Sequence, residues 1–401
     1  MQQFRFPHLF PAFMSFAKDF SLSAVAAGFV TVLVGFTSSA VIVFQGARAL
    51  GAGPAEIASW MWALGLGMGL TCILLSLRYR VPVVTAWSTP GAAMLITGAA
   101  GVSLQDATGA FLLSAAMITF CGFSGLFERM ISRIPVSLAS GMLAGVLLRF
   151  GMDVFVAMKT QFGLALAMFI AYLAGRRLFP RYAVIVTLLL GIAIAAAQGL
   201  LHMDGVRLEL AQPKWITPGF SLAATIGVAL PLFVVTMASQ NVPGVAVIRT
   251  FGYAVPISPV IGWTGVANLL LAPLGGYALN LAAITAAICM SPEAHEDAKR
   301  RYVAAVAAGC FYLLVGVFGA TVGAVFAAFP KELVLVIAGL ALFGTIGNGL
   351  AAALSNERER EPALVTFLVT ASGVTLFGVG SAFWGLVAGV AAMLALQGGK
   401  K

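Results

Sequence analysis

The chain has 401 residues, 61% of them hydrophobic and 9% charged, with a mean hydropathy of +1.01 and a formal net charge of +9. A soluble domain carries about 25% charged residues, so the composition excludes a water-soluble globule and predicts an all-α polytopic membrane protein. The basic residues fall in short gaps between apolar runs, where they act as orientation signals and do not form a nucleic-acid surface.

A helix needs about 20 apolar residues to cross the hydrocarbon. The first such run, about Leu22–Phe44, is long enough to remain as a span, so no cleavable signal is expected. The second span, about Ile57–Leu77, stops at Arg78-Tyr79-Arg80. The third segment is not a plain helix. Val83, Val84 and Thr85 favour extended backbone, and Ser88 or Thr89 can cap a helix whose first position suits Pro90. A fourth span is expected over about Ala107–Leu126, a shorter fifth over Pro135–Leu148, a sixth over Gly163–Leu173 and a seventh over Ala183–Leu201. The polar stretch His202–Pro218 divides the chain nearly in half.

The eighth span is expected over about Phe220–Ser239, and a ninth of open limits lies in the proline-bearing region that follows. Asn268–Met290 is the tenth, broken at Pro273-Leu274-Gly275-Gly276 after an extended-looking Leu269-Leu270-Leu271. Tyr302–Phe329, Leu333–Leu354, Ala363–Val379 and Phe383–Leu396 complete fourteen segments. With both termini on the cytoplasmic side, 17 Lys and Arg fall on that side and 6 on the other, a strong positive-inside bias.

Seven segments per half require the second half to insert upside down relative to the first, so residues 1–205 and 206–401 are expected to form an inverted repeat. Each half carries its break in its third segment. Thr37-Ser38-Ser39 and Ser239-Gln240-Asn241 are a second matched pair of polar interruptions, in the first and eighth spans. Broken backbone at membrane depth survives only where it is buried in protein or lines a cavity. The breaks are therefore expected to bring two half-helix N-termini to one site, where free amides suit a carboxylate without an arginine. Ser88, Thr89, Pro90 and Gly91 would approach from one side, and Gly276, Tyr277 and Asn280 from the other. Gln240 and Asn241 are the most polar pair inside any expected span, and Phe36, Thr37 and Ser38 complete the candidate binding set. Amides in hydrocarbon need partners; a substrate or a neighbouring helix would serve.

Enzyme chemistry finds no support. Gly65-Leu66-Gly67-Met68-Gly69 lies inside an apolar span and reads as small-residue helix packing. Walker A, HExxH and GxSxG patterns do not occur. Cys72, Cys121, Cys289 and Cys310 form no CxxC, and His8, His202 and His295 are not at ligand spacing, so no metal or cofactor is expected. Acidic residues are nearly absent from the spans. Glu128 and Asp153 sit at span ends, and no buried carboxylate for proton coupling stands out.

Three motifs carry a resemblance: W-S-T-P-G-A-A at Trp87–Ala93, A-S-Q-N-V-P-G at Ala238–Gly244, and A-P-L-G-G-Y-A-L-N-L-A-A-I-T-A-A-I at Ala272–Ile288. Over nearly the whole chain, from Phe20 to about Leu396, the sequence resembles the BenE family of benzoate transporters. The resemblance implies a benzoate:proton symporter of the bacterial inner membrane, with the proton as coupling ion. It also implies a seven-plus-seven inverted fold shared with uracil, sulfate and bicarbonate carriers. In that fold segments 3 and 10 hold a short strand and a half-helix. Segments 1–4 and 8–11 form a core domain and segments 5–7 and 12–14 a gate domain, through which such carriers often dimerise. Nucleobase carriers of this fold place acids on segments 8 and 10. Here Gln240 and Leu279 or Asn280 stand at the comparable places, which suits an anionic aromatic acid. The competing expectations are the same fold carrying a nucleobase or inorganic anion, and a passive anion channel.

Overall fold

The computed structural model describes residues 19–397 apart from 99–100, 132–134, 180–181, 202–209, 320, 322–327, 375 and 377–380; for 37, 38, 41, 93, 97, 98, 130, 131, 345, 382 and 397 it describes the backbone alone. The described chain is mostly helical. Seven of its helices are long and apolar enough to cross a membrane, by length and composition.

In chain order the first half holds α1 (Leu22–Ala49), α2 (Pro54–Tyr79), β1 (Thr85–Trp87), α3 (Thr89–Gly98), α4 (Leu104–Phe123), α5 (Leu126–Ile131), α6 (Val136–Val156), α7 (Phe162–Leu178) and α8 (Ala183–Ala197). The second half holds α9 (Leu222–Thr250), α10 (Ile257–Leu271), β2 (Leu279–Leu281), α11 (Ile284–Met290), α12 (Tyr302–Val317), α13 (Lys331–Leu354), α14 (Arg360–Ala371) and α15 (Ser381–Gln397).

Three expectations are corrected. Leu269-Leu270-Leu271 is the last turn of α10; the extended piece is β2, eight residues further on. The half-helix that follows starts at Ile284 and not at Gly276-Tyr277. The eighth span does not stop at Ser239: α9 runs to Thr250, absorbing Met237–Asn241 as a π turn. One extra residue per turn re-aims side chains without breaking the helix, a device common at functional sites.

The helices pack as two sets. In the first, α2 lies along α12, α1 against α12, α3 and α11, and α4 along α10 and α9. In the second, α6 packs along α13 and α14, α14 along α15, and α7 against α8 and α13. The sets meet where α6 touches the C-terminal part of α9 and where α13 touches α1 and α11. Lipid offers no hydrophobic drive between helices, so close approach depends on small residues. A Cβ at Gly65 would lie 2.4 Å from the Cα of Gly316, and one at Gly69 would lie 2.9 Å from the Gly309 carbonyl. The glycine stripe of α2 is therefore the seam with α12. Gly65→Leu is expected to force that seam apart and abolish recovery of a monodisperse protein from detergent extracts; a normal size-exclusion profile would refute the seam.

Polar contacts gather at the two ends. At one, Arg80 and Arg300 pair with Asp19, Arg176 pairs with Glu293, and the Tyr253 hydroxyl donates to the Ala298 carbonyl. Glu128 caps α10 there, accepting from the Ser258 amide at 2.9 Å. Burial raises its carboxyl, but the Ser258 and Ile257 bonds and the Arg249 charge leave it below the ordinary value. At the other end Lys214 pairs with Glu56, Ser59 donates to the Leu274 carbonyl, and the Gly219 amide donates to Gln105.

Candidate functional site

β1 and β2 pair antiparallel, with Thr85 opposite Leu281, Ala86 opposite Asn280 and Trp87 opposite Leu279. A two-stranded ribbon has two outer edges, and inside a membrane protein no water satisfies them. Side chains do so here. On the β1 edge the Val83 amide donates to Ser76 Oγ at 3.0 Å and the Thr85 amide to Cys72 Sγ at 3.2 Å. On the β2 edge Asn268 is bidentate to Leu279, accepting from its amide at 2.8 Å and donating to its carbonyl at 3.2 Å. Asn241 Oδ1 accepts from the Leu281 amide at 2.9 Å, and its Nδ2 meets Met237 Sδ. Beyond the strands the ribbon closes through Ser88 N–H to the Ala278 carbonyl and Ala282 N–H to the Val84 carbonyl, each 2.9 Å.

Each strand ends at a half-helix. Ser88 Oγ accepts from the Gly91 amide, capping α3 at Thr89-Pro90 as the residue types predict. The ladder of α11 begins with Ala287 N–H to the Ala283 carbonyl, so the amides just before it have no helical partner. Thr31 Oγ1 ties α1 to α11 through the Thr285 carbonyl and Cys289 Sγ.

Between these half-helices lies a cavity of about 130 Å³. Its walls are Gly35 and Ser39 of α1, Ala86 and Trp87 of β1, Thr89 of α3, Ser239, Gln240 and Pro243 of α9, Ala282–Thr285 at the head of α11, and Tyr312 of α12. Val146 and Phe150 of α6 close it, so both helix sets contribute. Trp87 Nε1 donates to Ser39 Oγ at 2.9 Å, and Phe36 packs edge-on against the indole at 5.8 Å. Among the described residues no Asp, Glu, Lys, Arg or His lines the cavity. Its uncommitted polar groups are the Gln240 amide and the Thr89, Thr285 and Tyr312 hydroxyls, none of which bonds to another described residue. An apolar chamber with a few neutral donors fits a flat ring bearing one hydrogen-bonding group; a dry cavity of about 150 Å³ accommodates benzene. Among the described residues no group of three or more His, Cys, Asp or Glu can hold a metal ion.

Residues 18–395 match the family model for BenE, the benzoate membrane transport proteins. The chain belongs to the BenE family. It is 53% identical over 363 residues to the inner membrane protein YdcO of Escherichia coli, covering 90% of this chain and 93% of that one. It is 39% identical over 379 residues to the benzoate membrane transport protein of Acinetobacter baylyi, covering 94% and 96%. Among solved structures SLC26A9 aligns with a TM-score of 0.51 at 13% identity, over 95% of this chain and 66% of that one, just under two thirds of its length. That likeness shows the fold alone. The BenE family consists of membrane transporters and not enzymes.

Within this BenE chain the candidate residues are not all brought to the cavity. Thr89 and Gln240 line the cavity. Phe36 backs Trp87, Ser88 caps α3, and Asn241 clamps β2, each one step away. Asn280 is buried opposite Ala86, with Nδ2 to the Ala278 carbonyl at 3.4 Å and no partner for Oδ1. Pro90 opens α3, while a Cβ on Gly91 would meet Leu232 of α9. Gly276 and Tyr277 lie elsewhere. Gly276 packs on Leu271, and Tyr277 is buried against Trp60 and Phe111 with its hydroxyl donating to the Ser88 carbonyl. They precede β2, so the strand carries them away from the half-helix. The side chains of Thr37 and Ser38 lie outside the described residues.

Trp87, Thr285, Tyr312 and Phe150 line the cavity but were not among the expected residues. Trp87 and Thr285 stand inside two of the motifs that carried the resemblance. Phe150 and Tyr312 belong to plain apolar runs and left no local signal.

Proposed function

We propose that the chain is a secondary active transporter of the bacterial inner membrane that imports benzoate, or a related aromatic carboxylate, together with a proton. The observation that carries this reading is the largely apolar cavity, with no charged group among its described lining residues, between two half-helices, in a chain of a benzoate transport family. The aromatic ring lies against Trp87, Phe150 and Val146. The carboxylate faces the Gln240 amide, the Thr89 hydroxyl and the first-turn amide of α3, donors with a partial positive field.

In this reading the seven-plus-seven inverted repeat supplies the head-on meeting of segments 3 and 10. The first helix set is the core and the second the gate, and alternating access is rocking of one against the other around the cavity. The arginine-rich end is cytoplasmic, both termini lie on that side, and the gate offers the surface for a homodimer.

The test is uptake of labelled benzoate into proteoliposomes under an imposed pH gradient. Saturable uptake that collapses with the gradient is expected. Flux that neither saturates nor responds to the gradient would indicate a channel. Competition by uracil or sulfate, but not by unlabelled benzoate, would overturn the substrate.

A further inference from the structure

Outside the cavity one buried carboxylate stands out. Glu293 lies in the loop after α11, with 8% of its surface exposed. It belongs by chain position to the first helix set but reaches into the second. Its Oε1 meets Arg176 Nη1 of α7 at 2.6 Å. The same oxygen would lie 3.1 Å from a Cβ at Gly344, so the glycine lets α13 pack closely on the carboxylate. Its Oε2 is buried without a partner among the described residues. The loop is held rigid from below: Arg301 donates to the carbonyls of Met290, His295 and Glu296, and His295 Nδ1 accepts from the Asp297 amide.

We propose that Glu293 and Arg176 form a proton-sensitive latch between the two helix sets at the arginine-rich end. A carboxylate half-paired and half-orphaned offers one site for which a proton and Arg176 compete. When the sets part, Arg176 leaves with α7, and the carboxylate is uncovered to water without its counter-ion. Uptake of one proton on Oε2 from water removes that charge and gives a neutral acid; re-pairing with Arg176 returns the proton to water. No other bond changes. Among the described residues, Tyr172 and Arg176 face the carboxylate from α7, and Gly344 lies against it on α13. On its own loop the titratable neighbours are His295, Glu296, Asp297, Lys299, Arg300 and Arg301. The device gives the chain the buried carboxylate that its spans lack, and it rests on the reading that the two sets move.

The sign follows from competition. Protonation opens the latch, so the closed-to-open ratio falls with falling pH, by at most about tenfold per pH unit for one proton. Spin labels on exposed Arg177 of α7 and Lys299 of the loop measure the gap in the full-length protein. Wild type is expected to lengthen as the pH drops. Glu293→Gln is expected to show the long distance at every pH, and Arg176→Met to lose the pH response. His295→Gln is expected to keep it. A response in Glu293→Gln equal to wild type, or a fixed short distance in all variants, overturns the latch. Benzoate binding by wild type is measured in parallel. Its absence alongside a pH-dependent gap would sink the transporter reading and leave the latch standing.

Discussion

Asn268→Ala is expected to destabilise the protein by about 2–6 kcal/mol, since it strips hydrogen bonds from two buried backbone groups at about 1–3 kcal/mol each. Both belong to Leu279, whose amide and carbonyl point away from β1 and have Asn268 as their partner. Water reaches neither, because Asn268 and Leu279 are buried. The loss reads out as a lower unfolding midpoint in detergent and as faster proteolysis. Asn268→Asp is expected to do no better: it keeps an acceptor for the amide, faces the carbonyl with an oxygen and buries a charge. An unchanged midpoint in Asn268→Ala would mean that β2 is held by its pairing to β1 alone.

Gln240→Ala is expected to weaken benzoate binding by roughly 10–150-fold, the equivalent of a 1.5–3 kcal/mol hydrogen bond to a charged group. Stability is expected to change little, because the Gln240 amide bonds to no described residue. Gln240→Glu is the sharper variant. It preserves volume but sets a carboxylate against the substrate's own, so binding is expected to vanish at neutral pH. Asn241→Ala gives the contrast. Its amide is spent on the Leu281 backbone, so the loss falls on stability and only indirectly on affinity. Calorimetric titration with benzoate beside a melting curve separates the two. Equal affinity in wild type and Gln240→Ala would remove Gln240 from the site.

The two neighbouring amides show where sequence reasoning ends. Ser239-Gln240-Asn241 stood out because such groups need partners in an apolar setting. Which amide faces the cavity and which clamps the strand depends on the π turn, which rotates the following side chains relative to an α-helix. No local preference announces that turn. The third segment was more legible. Its β-branched run, serine cap and proline are local devices, and they produced β1 and α3 at the expected residues. The tenth was not. Leu269-Leu270-Leu271 fits helix and strand equally. Asn268, one residue before that run, is bound to the strand eight residues beyond it, a long-range contact. Glu293 was passed over for a related reason: among the charges of Pro292–Arg301 it looks solvated, and only packing from α7 and α13 buries it.

By itself, the sequence determined the membrane class, the positions of most helices, the break at Ser88-Thr89-Pro90 and the family. These follow from apolar run length, capping chemistry and motif identity, all of which act over a few residues. Only the tertiary structure decided that β2 and not Leu269–Leu271 pairs with β1, that Ala282–Thr285 replaces Gly276-Tyr277 beside Thr89, and that Trp87 and Phe150 line the cavity. Those outcomes rest on hydrogen bonds and packing between residues far apart in the chain, which satisfy a ribbon's buried edges and bring α6 against α9. Local composition does not encode which distant partner arrives.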